Sequence, residues 1–152
     1  MTAFATRHAA HPGRVPEPAA ETARGQALAL HLWRPTSTSV VIRVAGELDA
    51  TTAPRLHELL APRLSSTAET VVLDLSGLEF LGVAGLEMLA HARQRAASRS
   101  IALCLVDGPI CVDRALRAAG LHEDLPTFAT VEAAVQRLNG RSRESSAARV
   151  SA

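Results

Sequence analysis

Apolar and polar positions along the chain switch period several times, and each switch marks an element. Over 28–33 apolar side chains alternate (Leu28, Leu30, Leu32), predicting a first strand that ends in a turn at 35–37. Over 39–45 Val40, Ile42 and Val44 face one way and Val41, Arg43 and Ala45 the other, so a second, antiparallel strand follows. Gly46-Glu47-Leu48-Asp49 closes it. Asp49, Thr51 or Thr52 can then cap a helix with Pro54 in its first turn and Ala53, Leu56, Leu60 and Leu64 on one stripe. Pro62 should split that helix near its end.

The segment TVVLDLS, 70–76, is apolar on both faces apart from Asp74, as a strand inside a covered sheet is. A loop is predicted over 78–85. A second helix follows over 83–98, with Leu86, Leu89, Ala90 and Ala97 inward. A fourth strand covers 100–106. A third helix opens at Gly108-Pro109, carries Ile110, Val112, Leu116 and Ala119, and stops at Gly120. Phe128 suits a short extended piece. Thr130 can cap a last helix with Val131, Ala134, Val135 and Leu138 inward and Gly140 as its stop. Strands alternating with helices give an α/β fold: one mixed, mostly parallel sheet of four to five strands with about four helices.

Composition refines this picture. Of 152 residues, 47% are hydrophobic but only 3% aromatic, so Ala, Val and Leu fill the core. Residues 1–26 and 141–152 lack a sustained period and are expected to be flexible tails around a single domain at 27–140. No apolar stretch reaches the ~20 residues that span a bilayer, and no signal-peptide core is visible, so a cytoplasmic protein is expected. A net charge of +1, with scattered arginines, supplies no drive towards nucleic acid or membrane. Cys104 reads as a buried thiol, and His8 and His11 lack the Cys or acidic partners of a metal site.

The chemistry-bearing residues favour binding over catalysis. Asp49 reads first as a cap or turn former and second as a carboxylate facing a partner. Asp74 reads as a carboxylate serving nearby backbone. Gly82 and Gly85 lack the rest of a phosphate-loop pattern, and no nucleophile-elbow sequence occurs. Glu79, Glu87, His57 and His91 are expected at the surface. No enzyme activity, cofactor or metal is expected.

Two stretches, 40–56 (VIRVAGELDATTAPRL from Val41) and 71–89 (VVLDLSGLEFLGVAGLEML), resemble the STAS domains of anti-sigma factor antagonists, and the element order agrees over 27–140. The resemblance implies a regulator of transcription whose partner is an anti-sigma factor, often a histidine-kinase-like ATPase. It leaves a homodimer open. In that family the kinase can phosphorylate a Ser or Thr at the start of the second helix, in a loop reading Asp, Ser or Thr, Ser or Thr, Gly. Here the aligned residues are Gly82, Val83, Ala84 and Gly85, so Ala84 takes the acceptor position without a hydroxyl. The resemblance therefore implies docking through Asp49, Gly82, Val83, Ala84 and Gly85, with no phosphate at the usual position. Val83 could instead pack inward. A STAS scaffold subunit of another complex, stressosome-like or associated with lipid transport, is the alternative.

Overall fold

The computed structural model describes residues 28–138, so both expected tails and the Gly140 stop lie outside the described residues. Five strands form one sheet in chain order: β1 (Leu28–Thr36), β2 (Ser39–Leu48), β3 (Thr70–Leu81), β4 (Ala102–Val106) and β5 (Thr127–Phe128). The β1–β2 pair is antiparallel and the other three pairs are parallel, which makes the sheet mixed and mostly parallel.

Helices α1 (Ala53–Leu60), α2 (Val83–Ser98) and α3 (Ile110–Ala118) connect the strands, and residues 131–138 form α4. The side-chain alternation within each strand feeds two cores. Val40, Ile42, Val44, Val71, Leu73 and Leu105 join Leu56, Leu60, Leu89, Val112 and Leu116 of the three connecting helices in one. Val41, Val72, Cys104 and Val106 meet Ala134 and Leu138 of α4 in the other. The second face of the sheet is therefore covered by α4, with Trp33, Val131 and Val135 packed at its margin.

Local sequence explains most boundaries. Pro62 divides α1 from a 3₁₀ turn at Arg63–Ser65, and Leu64 continues the buried stripe of Ala53, Leu56 and Leu60. Gly120, at φ +76°, stops α3 where a side chain would be strained. Thr130 caps α4, accepting from the Ala133 amide at 3.1 Å.

Four expectations need correction. The segment 78–81 is strand and not loop. β3 stays paired with β2 up to Leu48–Leu81, through two register shifts, one after Arg43–Asp74 and one after Gly46–Leu78. Each shift adds a residue to β3 and breaks the period of two, which hides the strand from pattern reading. Likewise β2 continues through Gly46, Glu47 and Leu48. In α2 the buried positions are Gly85, Leu89, Ala92 and Ala96, and Ala97 is exposed, one residue off the inward face. In α3 Val112 and Leu116 are buried, whereas Ile110 and Ala119 are exposed.

Candidate functional site

The C-terminal ends of the parallel strands β2 and β3 release the chain into α1 and α2 respectively, side by side. The Gly82 amide donates to the Leu48 carbonyl at 2.9 Å, which ties the start of α2 to the end of β2. Asp49 therefore follows Leu48 into the same end of the sheet as Gly82, Val83 and Ala84.

Asp49 organises its own loop. Its Oδ1 accepts from the Thr51 hydroxyl at 2.8 Å, the Thr51 amide at 3.0 Å and the Thr52 amide at 3.1 Å. These bonds, the Thr51 hydroxyl first, hold the Asp49 carboxyl below its ordinary pKa, against a smaller opposing effect of desolvation. The Thr52 hydroxyl accepts from the Asp49 amide at 2.9 Å and donates to the Glu47 carbonyl at 2.8 Å. Thr52 is buried and its hydroxyl is committed; Thr51 is exposed. The turn-forming role expected for Asp49 is thus what the geometry gives, with Thr52 at the helix N-cap position but making no side-chain cap bond.

At the second helix the four aligned residues separate into distinct roles. Gly82 is the N-cap of α2, in extended backbone. Val83 does not pack inward: it is 71% exposed. Ala84 is half-buried in an open groove of about 470 Å³ between α1 and α2, shared with Ala50, Ala53, Pro54, His57, Glu58 and Met88. Gly85, expected in the contact surface, is buried under it. A Cβ there would stand 2.8 Å from Leu81 Cδ1 and 2.9 Å from Leu48 Cγ, so glycine lets the first turn of α2 sit directly on the strand ends.

Pattern reading did not single out Phe80 and Ile110 as surface residues. They are 50% and 68% exposed and, with Val83, are the large hydrophobic residues found exposed among the described residues. Cys111 Sγ lies 3.5 Å from the Glu79 carbonyl, which brings the start of α3 against the end of β3. Segments 45–51 and 77–88 contain Glu47, Asp49, Glu79 and Glu87 but no Lys or Arg. The end of the sheet thus combines exposed apolar groups with acidic ones. The correction of 78–81 from loop to strand is what reveals this arrangement.

Away from this end, Asp74 is buried. Its Oδ1 accepts from the Ser76 amide at 3.0 Å and its Oδ2 pairs with Arg43 Nε at 3.2 Å. That is a structural carboxylate, serving backbone as expected, with an ion pair the pattern did not disclose. Cys104 is buried and Cys111 exposed. No group of three or more His, Cys, Asp and Glu side chains with metal-binding geometry occurs among the described residues. No helix among them is long and apolar enough to cross a membrane.

Known proteins resemble this chain in sequence or in fold. Anti-sigma-F factor antagonist RsfA of Mycobacterium tuberculosis is 31% identical over 100 residues, covering 64% of this chain and 78% of the relative. The crystal structure of an anti-sigma factor antagonist from Mycobacterium paratuberculosis superposes with a TM-score of 0.69 at 24% identity, over 76% of this chain and 97% of that one. The anti-sigma factor antagonist SpoIIAA in its unphosphorylated form gives 0.66 at 22% identity, over 74% and 97%. These two likenesses concern the fold. The STAS domain family model matches residues 34–134, from within β1 to within α4, and includes both strand ends and both helix starts described above; the chain belongs to the STAS domain family.

Proposed function

We propose that this protein is an anti-sigma factor antagonist that works by docking and not by catalysis. It binds an anti-sigma factor in the cytoplasm and so frees a sigma factor for transcription. The contact face is built by Val83, Ala84 and Gly82 at the start of α2, with Asp49 at its rim and Gly85 beneath. The observation that carries this reading is the outward-facing Val83, which follows Gly82, itself packed near the ring of the exposed Phe80, in a stretch whose charged residues are acidic. An apolar centre with a polar rim is the make-up of a protein–protein contact. The name of the mycobacterial relative agrees with the reading.

Ala84 holds the acceptor position in a small, neutral state. A phosphate would bring about −1.5 to −2 charges to this face, and Ala cannot accept one. The switch at this position is absent, and docking is constitutive or controlled elsewhere. The acidic surround favours a partner with basic groups at its rim, so association should slow as salt rises.

Titration calorimetry of the chain against an anti-sigma factor encoded in the same genome tests the proposal. Saturable binding that Ala84→Asp weakens a hundredfold or more is expected, with the circular dichroism of the variant unchanged. Absence of binding, or equal affinity for the two proteins, would reject the antagonist reading or the face respectively.

A further inference from the structure

Val83, Ile110 and Phe80 are the large hydrophobic side chains exposed among the described residues, at 71%, 68% and 50%. Short contacts link the segments that carry them. The Sγ of Cys111, the residue after Ile110, lies 3.5 Å from the carbonyl of Glu79, the residue before Phe80. The Phe80 ring in turn lies 3.0 Å from where a Cβ on Gly82, the residue before Val83, would stand. A Cβ on Gly108 would stand 2.6 Å from the Leu75 carbonyl oxygen, so the lead into α3 rests directly on β3 and holds Ile110 at this end of the sheet. Apolar side chains scattered singly over a surface are ordinary, whereas a contiguous group of them marks an interaction site.

We infer that the docking face extends from the start of α2 across the end of β3 to the start of α3, with Phe80 and Ile110 as apolar anchors in addition to Val83. The inference rests on the antagonist reading above and widens its face; Ile110 lies outside both stretches that carry the family resemblance. A stable contact buries roughly 800 Å² on each partner, about 20–30 residues, which is more than Gly82, Val83, Ala84 and Asp49 supply. Charge selects the occupant. Glu79 and Asp107, both exposed, adjoin the added anchors in sequence, as Glu47, Asp49 and Glu87 adjoin the start of α2 and the end of β2. The matching surface on the anti-sigma factor is therefore apolar with a rim of Lys or Arg. A second copy of this chain would set these acidic groups against their own kind, which disfavours self-pairing through this face.

Cys111 supplies a footprint that needs no substitution, because it is an exposed free thiol next to Ile110 whereas Cys104 is buried. The full chain is treated with N-ethylmaleimide, alone and saturated with the anti-sigma factor, and the adduct on each cysteine is followed by mass spectrometry. The partner should slow modification of Cys111 by about tenfold or more. In calorimetry Ile110→Asp should weaken binding by about a hundredfold or more and Ile110→Ala by about tenfold, while Ala97→Asp, exposed towards the far end of α2, should bind as wild type does. Urea midpoints should hold for Ile110→Asp, since the side chain is mostly exposed and a carboxylate is tolerated at a helix start. Unchanged Cys111 reactivity in the complex, or wild-type affinity of Ile110→Asp, overturns the extension to α3; if Val83→Asp still weakens that complex, the antagonist reading stands. Failure of the wild type to bind overturns both.

Discussion

The Gly82 amide bonds to the Leu48 carbonyl at 2.9 Å, and this contact joins two segments that are 34 positions apart in sequence. It brings the Asp49 loop and the start of α2 to one end of the sheet. Beneath it, Gly85 lies against Leu48 and Leu81. The geometry of the candidate face therefore rests on the close approach of α2 to the ends of β2 and β3.

Gly85→Ala should disturb that approach. Its new Cβ meets leucine atoms at 2.8–3.0 Å, so side chains or the helix must shift. Overpacking of this kind costs about 1–3 kcal/mol. A lower urea midpoint with an unchanged slope is expected, and partner affinity should fall because Val83 and Ala84 move with the helix. An unchanged midpoint would show that the leucines yield freely.

Val83→Asp should abolish docking and spare the fold. The side chain is 71% exposed at a helix start, where a carboxylate is tolerated. On docking it would be buried without a partner, at a cost of several kcal/mol, and each ~1.4 kcal/mol is tenfold in affinity. Calorimetry should record a loss of a hundredfold or more, and thermal unfolding should shift little. Retained affinity would remove Val83 from the contact.

A kinase that modifies the Asp49 loop should find Thr51 and not Thr52. Thr51 is exposed, whereas Thr52 is buried and its hydroxyl donates to the Glu47 carbonyl at 2.8 Å. Phosphopeptide mapping after incubation with such a kinase reads this directly; phosphate on Thr52 would contradict it. The same hydroxyl at Thr51 holds the Asp49 pKa down, so Thr51→Val should raise it towards its ordinary value, measurable by carboxylate NMR titration.

Cys104 should make the protein less stable in alkali. Burial pushes its thiol from its ordinary 9.0 up to about 12. Between those values the unfolded chain gives up a proton that the folded chain keeps, so stability is fully present below pH 9 and falls as pH rises towards 12. The slope contributed by one such group is about 1.4 kcal/mol per pH unit. Cys104→Ala should flatten the dependence of the denaturation midpoint over that window. A parallel curve for the variant would refute the assignment.

Asp74→Ala should destabilise the fold by about 2–3 kcal/mol, the scale of an unpaired buried polar group together with a lost charged hydrogen bond. It leaves the Ser76 amide without its acceptor and Arg43 without its partner at 3.2 Å. Arg43→Ala should cost a comparable amount or less, because Arg43 is itself half-exposed and Asp74 keeps the Ser76 bond. Denaturant titration of both variants separates the two contributions.

The sequence by itself determined the order of elements, because each strand and helix has its own period of apolar residues. Val40, Ile42 and Val44 announce a buried strand face, and Ala53, Leu56, Leu60 and Leu64 a helix stripe, with no knowledge of neighbours. It also shows an alanine at position 84 and, through the resemblance, points to the family. Only the tertiary structure decided which residues share a surface. Two register shifts in β3 break the alternation, so 78–81 looks like loop, and Phe80 becomes an exposed residue at a strand end. Ile110 looks like a core residue by hydrophobicity and is left outside because Val112 and Leu116 already supply the inward face of α3. The pairing of Arg43 with Asp74 and the approach of His57 to His91 depend on strand register and helix packing. These are long-range relationships, set by which faces pack together, and a local pattern of hydrophobicity carries no record of them.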